Sequence, residues 1–400
     1  MLYGITNIIC TSYRFINWRK RKFLINKDLD NNKSNDLLIS KHNENNINKE
    51  TNNKKDNDIN SFYKRVSKEK DKKNLDKYFN EECTISSAIR IEDEKIKVNK
   101  QLYDNIKIRL INLVARSQLP LFNIDDFLIW EKIGNGSNGE IFVISSNKTN
   151  KKYAVKIINE KSITSLEYII KEFELVYQNR HKHIINLYGI CIRCIHKDLF
   201  TLYVLMDLGL HDWDDEISQR EKKRKFYTER ELIIILKQLI SALLFLQKEK
   251  NISHRDIKLE NILLFEDNIF KLCDFGEAKQ KVERNVRKTL RGTDFYMSPL
   301  LYDGLIQNKN YVQHNPYKSD VFSLGLCLII ASSLNFKIVK EIRNSENERK
   351  IREVLINNFN GRYSDDFIYL LMKMIAIEEN NRPDFIDLSR IVQNYYYDIE

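Results

Sequence analysis

Apolar positions along this 400-residue chain fall into three regimes. From about Asn26 to Asn80 they are scattered among Asn, Lys, Asp and Glu, with neither strand nor helix periodicity. Tracts such as Asn43-Glu44-Asn45-Asn46 and Asn52-Asn53-Lys54-Lys55 are low in complexity. Such a stretch cannot bury enough surface to offset its ordering entropy, so residues 1–98 are expected to be a largely disordered basic tail. Between Asn99 and Gln118 the pattern changes. Leu102, Ile106, Leu110, Leu113 and Val114 recur near a helical period, which predicts an amphipathic helix and linker over 99–123. A stripe of this kind packs on the neighbouring domain or on a partner. From Ile124 short runs rich in Ile, Val, Tyr and Phe predict strands: Phe127–Ile133, Gly139–Ser145, Lys152–Ile158, Leu187–Ile192 and Phe200–Asp207. One helical stretch, about Ser165 to Asn179, interrupts them. After Asp207 the balance shifts to helices. Glu229 to Lys248 is apolar on most faces, which marks a buried helix. The whole predicts an α+β fold over 124–400, with a small β-rich lobe, a larger helical lobe and a cleft between them.

Charge refines this division. Residues 1–100 hold 22 Lys plus Arg against 15 Asp plus Glu, a net of +7, whereas the whole chain is +10. The basic character therefore belongs mostly to the tail and does not call for a nucleic-acid partner. Six cysteines, at positions 10, 83, 191, 194, 273 and 327, are too sparse for a disulfide framework. Cys191 and Cys194 lack the second ligand pair of a structural zinc site. The most apolar run, around Val321 to Leu334, is too short to span a bilayer and reads as a buried core helix. No membrane span and no secretory leader are expected, and the location would be cytoplasmic or nuclear.

Three segments carry chemistry. Gly134-Asn135-Gly136-Ser137-Asn138-Gly139 places three glycines between strand-like runs, allowing backbone N–H groups to approach phosphate closely. A dinucleotide-binding loop would lead straight into a helix, yet Ile141-Phe142-Val143-Ile144 reads as a strand. Lys156 ends Tyr153-Ala154-Val155-Lys156 in an apolar setting. It needs an exposed face or a partner, because burying an unpaired ammonium is costly; Glu172 is a candidate. The third segment is His254-Arg255-Asp256-Ile257-Lys258-Leu259-Glu260-Asn261, followed by Asp274-Phe275-Gly276. In this order and spacing the segments resemble the eukaryotic protein kinases, over roughly residues 124–397.

The resemblance implies a two-lobed kinase-like fold and transfer of the γ-phosphate of ATP with Mg²⁺. Asp256 would orient the acceptor hydroxyl or take its proton, and Lys258 would stabilise charge on the γ-phosphate. Asn261 and Asp274 would hold Mg²⁺ through oxygen ligands. Lys156 would hold the α- and β-phosphates and pair with Glu172, while the backbone at Gly134, Gly136 and Gly139 covers the phosphates. Ile133, Ile141, Ala154 and Leu263 would sandwich the adenine, and the hinge from Asp207 to Gly209 would bond its edge. Val176, His254 and Phe275 would form an apolar column between the lobes. Lys258 and the segment Gly292-Thr293-Asp294-Phe295-Tyr296-Met297-Ser298-Pro299 resemble the serine/threonine type, implying a protein substrate with a Ser or Thr acceptor. Thr293 would contact Asp256 and Lys258. Thr289 is where an upstream kinase would act, its phosphate meeting Arg255, Lys279 or Arg287. No subfamily follows. The alternative is a pseudokinase scaffold that binds ATP without efficient transfer. One departure stands out: Leu300 replaces the family's Glu after Ser298-Pro299, which normally pairs with the arginine matched here by Arg382. Asp303 is the nearest substitute acid.

Overall fold

The computed structural model describes residues 85–136, 139–197, 199–280, 294–309 and 311–396. Residues 1–84 of the expected tail lie outside the described residues, whereas 85–98 hold regular elements. A short helix α1 (Ile85–Ala88) leads into β1 (Ile89–Ile91), α2 (Glu94–Val98) and α3 (Lys100–Ser117). Residues 85–98, assigned by composition to the tail, thus carry three elements. Asn99 caps α3, its side chain accepting from Leu102 N–H. The helix buries Ile106, Leu110 and Val114. After it come β2 (Phe127–Gly136), β3 (Gly139–Ser146), β4 (Lys152–Glu160), α4 (Ile163–Gln178), β5 (Leu187–His196) and β6 (Leu199–Met206).

These strands form one six-stranded sheet in the order β1-β5-β6-β4-β3-β2. All neighbours are antiparallel except β1, which runs parallel to β5 with Ile89 opposite Ile192 and Ile91 opposite Cys194. The linker also follows β5: Ile190 N–H donates to Pro120 O at 2.9 Å and Phe122 N–H to Ile190 O at 3.2 Å. Only glycine fits at 189, where a Cβ would stand 2.8 Å from Pro120 O. Asp125 joins the two segments by accepting from Arg90 Nη1 at 3.0 Å and from Arg193. Helix α3 packs on α4, and both feed the same apolar core as β1 and β5. Strand β5 buries Cys191 and Cys194.

The helical lobe follows: β7 (His211–Asp212), α5 (Trp213–Lys223), α6 (Glu229–Lys250), β8 (Ile252–Ser253), β9 (Ile262–Leu264), β10 (Phe270–Leu272), β11 (Lys279–Gln280), α7 (Pro299–Ile306), α8 (Pro316–Ser333), α9 (Ile338–Arg343), α10 (Glu348–Phe359), α11 (Asp365–Met374) and α12 (Phe385–Tyr395). Thr228 and Glu231 form a reciprocal capping box that starts α6. Helix α8 is buried along nearly its whole length, as its apolar sequence predicts. Among the described residues no helix is long and apolar enough to cross a membrane.

Candidate active site

The loop between β8 and β9 is held from below by α8. Asp320 is 2 % exposed and accepts His254 N–H and Arg255 N–H, each at 2.8 Å. Burial pushes its carboxyl up to about 7, against the pull of those two donors. Arg255 sits at φ 69° and Asp274 at φ 57°, a left-handed region that ordinary residues avoid. Such conformations persist where the surroundings over-determine them, and Asp320's grip on the Arg255 N–H does so here. Sequence reasoning passed over Asp320. An acid at the start of a strongly apolar helix was the available signal.

Above this anchor the predicted catalytic residues converge. Lys258 Nζ lies 2.6 Å from Asp256 Oδ2. Asn261 Nδ2 donates to Asp256 O at 2.8 Å and to Asp256 Oδ2 at 3.0 Å. Burial opposes the charge on Lys258, but Asp256's charge and hydrogen bond carry its pKa upward. With its NH₂ committed to Asp256, Asn261 keeps its amide oxygen as the acceptor end. Cys273 N–H donates to Asn261 O at 2.9 Å, which brings Asp274 beside the loop. His254 Nδ1 accepts from Asp256 N–H at 3.4 Å and its Nε2 meets Cys273 O at 3.2 Å, an arrangement that puts the proton on Nε2. Complete burial favours this neutral form. The His254 ring stands 4.8 Å from the Phe275 ring, and Phe275 shares the core with Val176.

Lys156, on β4, is 5 % exposed, and its Nζ lies 3.9 Å from Asp274 Oδ1. The expected Lys156–Glu172 contact is not among the ion pairs of the described residues; Asp274 takes the lysine instead. Glu172 Oε2 points at Gly276, where a Cβ would be 3.4 Å from it and 3.4 Å from Asp274 Oδ1. Burial pushes Glu172 up to about 7. The Lys156 charge opposes the rise, and Asp274 and Glu277 add to it. Asp274 thus stands between the Lys156 ammonium and the Gly276 position that Glu172 also approaches.

The strands bring the remaining predicted residues to one side of the sheet's end. Gly134 pairs with Ile141, Ile141 with Lys156, and Ala154 with Met206 at the start of the hinge. Gly136 pairs with Gly139, whose Cβ would collide with Ile157 O at 2.4 Å. That position therefore requires glycine for packing on β4. Ile133 is half exposed, and Leu263 lies on β9 beneath Gly209, a Cβ at 209 being 3.4 Å from Leu263 Cβ. Asp207, at the start of the expected hinge, has its side chain engaged within the protein. Its carboxylate accepts from Asn186 Nδ2 at 3.1 Å, Tyr188 OH at 2.7 Å and Lys271 Nζ. Its N–H donates to Asn186 O at 3.1 Å, so only its backbone carbonyl remains for a ligand.

Arg382 also departs from expectation. It is 2 % exposed, and Asp303 does not meet it. Its guanidinium donates to Ala376 O at 2.7 Å, Ile377 O at 3.3 Å and Lys318 O at 3.2 Å, and lies 4.8 Å from the Phe322 ring centroid. Burial lowers its pKa to about 10, with the Glu379 charge opposing. Leu300, where the family has the acid, is 40 % exposed. Thr289, Arg287 and Thr293 lie outside the described residues.

A family model described as the protein kinase domain matches residues 127–396. The chain is 26% identical over 327 residues to calcium-dependent protein kinase 5 of Plasmodium falciparum, covering 79% of this chain and 52% of that protein. It is 28% identical over 268 residues to serine/threonine-protein kinase Nek2 of Mus musculus, covering 65% and 58%. It is 30% identical over 243 residues to the serine/threonine-protein kinase STE7 homolog of Candida albicans, covering 57% and 38%. The chain thus spans about half the length of the curated relatives it matches.

Proposed function

The chain belongs to the protein kinase domain family, and from that premise we propose that it transfers the γ-phosphate of ATP to serine and threonine hydroxyls of protein substrates. The observation that carries this reading is the Asp256 carboxylate held by Lys258 Nζ at 2.6 Å and Asn261 Nδ2 at 3.0 Å, with Lys156 and Asp274 3.9 Å apart across the cleft. Phosphoryl transfer asks a protein chiefly for positioning and charge stabilisation. Asp256 orients the acceptor hydroxyl and receives its proton. Lys258 stays protonated beside it and faces the charge that builds on the transferred group. Lys156 supplies a buried ammonium for the α- and β-phosphates.

The donor set fits Mg²⁺: the Asn261 amide oxygen and the Asp274 carboxylate are hard oxygen ligands on neighbouring segments, and this cation keeps its other positions for water and phosphate. When bound it supplies charge neutralisation across the phosphates. Lys258 in His254-Arg255-Asp256-Ile257-Lys258, together with the serine/threonine names of several relatives, supports the acceptor class. The elements between residues 85 and 117, which share the core of the sheet lobe, support a catalytic unit reaching back past Ile124.

The test is a peptide array with Mg²⁺-ATP and the full chain. Transfer to Ser and Thr peptides is expected. Asp256→Asn should lower kcat by about 10²–10⁴-fold with ATP binding retained. Tight ATP binding by the wild type without transfer to any peptide would replace this reading with the scaffold alternative.

A further inference from the structure

The segment that receives the acceptor in this reading, Asp294 to Pro299, starts with one turn of 3-10 helix over Asp294–Tyr296. Its carbonyls pair with no strand; Asp294 O accepts Met297 N–H at 3.3 Å and Ser298 O accepts Tyr302 N–H at 2.9 Å, and the others need further donors. Three of the segment's carbonyls converge on one atom. Arg343 Nη2 lies 3.2 Å from Asp294 O, 3.0 Å from Phe295 O and 2.8 Å from Met297 O. Between them Tyr296 O accepts from Ser323 Oγ at 2.9 Å. The same guanidinium lies 4.4 Å from the ring centroid of Tyr302, on the helix that follows the segment. Arg343 closes α9, a helix that buries Ile338, Val339 and Ile342. The cation therefore sits on a fixed base. Bonds from a charged donor are stronger than neutral ones, and the two hydrogens of this one nitrogen are shared among the three carbonyls.

At position 300 the usual tether is gone. Leu300 offers no acceptor and faces solvent, while Arg382 directs its donors to Ala376, Ile377 and Lys318 carbonyls. We infer that Arg343 is a positioning residue for the acceptor peptide: it fixes the docking segment from α9 in place of the missing carboxylate at 300. The inference rests on the kinase reading for its substrate, and on hydrogen-bond geometry alone for the tether.

The experiment uses the full chain with Arg343→Met and Arg343→Lys. Arg343→Met should raise the KM for an acceptor peptide by about ten-fold, with the KM for ATP unchanged, since only the tether is lost. Arg343→Lys keeps the charge and one donor nitrogen on a shorter side chain and should fall between. Deuterium exchange over residues 294–302 should quicken in Arg343→Met while α4 exchanges as before. An unchanged peptide KM overturns the inference. So does an equal rise in both KM values with faster exchange throughout, which marks general destabilisation. If the wild type transfers no phosphate, the kinase reading fails by itself and exchange decides the tether. Quickening confined to 294–302 supports it, and unchanged exchange there overturns it.

Discussion

A carboxyl group that burial pushes up to about 7, as at Glu172, changes charge close to neutral pH. Its ordinary value, 4.5, is the one it has in the unfolded chain. The folded state therefore holds this proton more tightly. That contribution to stability is full below 4.5 and is lost as pH rises through about 7. Glu172→Gln removes the dependence. Thermal midpoints from about pH 5 to about pH 8 should shift in favour of the variant relative to wild type as pH rises. A constant difference across that range would mean that Glu172 titrates at its ordinary value. Residues whose partners stand close along the chain were legible from sequence: Asp256, Lys258 and Asn261 lie within one loop. Asp320 and Arg343 were not, because each acts on backbone more than 45 residues away. At Arg382 the search for a substitute acid looked for the wrong chemistry, since carbonyl oxygens satisfy the guanidinium.

Among elements, β1 and α3 show two different limits of pattern reading. The stripe of α3 was readable because 18 residues give the 3.6 period room to repeat. A three-residue strand gives period 2 no such room, and Ile89–Ile91 is placed by the open edge of β5. An exposed edge presents unpaired N–H and C=O groups, and covering it removes that liability. Helix α3 should therefore contribute to the stability of the sheet lobe through its buried face. Leu110 is 0 % exposed, so Leu110→Ala should cost about 2–5 kcal/mol in chemical denaturation. Ile108, on the same helix and 56 % exposed, should cost within about 0.5 kcal/mol on the same change. Equal effects at both positions would show that α3 contributes helix propensity and not packing.

At the scale of the whole molecule, the strand-rich and helix-rich halves share one apolar core. Asp320 on buried α8 fixes the backbone of the loop between β8 and β9, and His254 of that loop meets the Phe275 ring, which belongs to the same core as Val176 of α4. Asp320→Ala would leave the His254 and Arg255 N–H groups without their acceptor, at about 1–3 kcal/mol each. With Arg255 released from its left-handed conformation, kcat should drop while ATP binding through Lys156 persists. Fluorescence titration with a nucleotide analogue beside a transfer assay would separate the two. Loss of both together would mean that the lobe itself had unfolded. The amino-acid sequence by itself determined the two-part architecture and the buried course of α8, and its motifs, through their resemblance to the kinase family, supplied the proposed roster of Lys156, Asp256, Lys258, Asn261 and Asp274. These rest on periodicity and on spacing along the chain, which are local properties. Tertiary structure alone decided that Lys156 meets Asp274, that Asp207 is tied to Lys271, and that carbonyls cage Arg382 and Arg343. In each case the partner lies far along the chain or is a backbone atom, and a backbone carbonyl carries no signature in sequence.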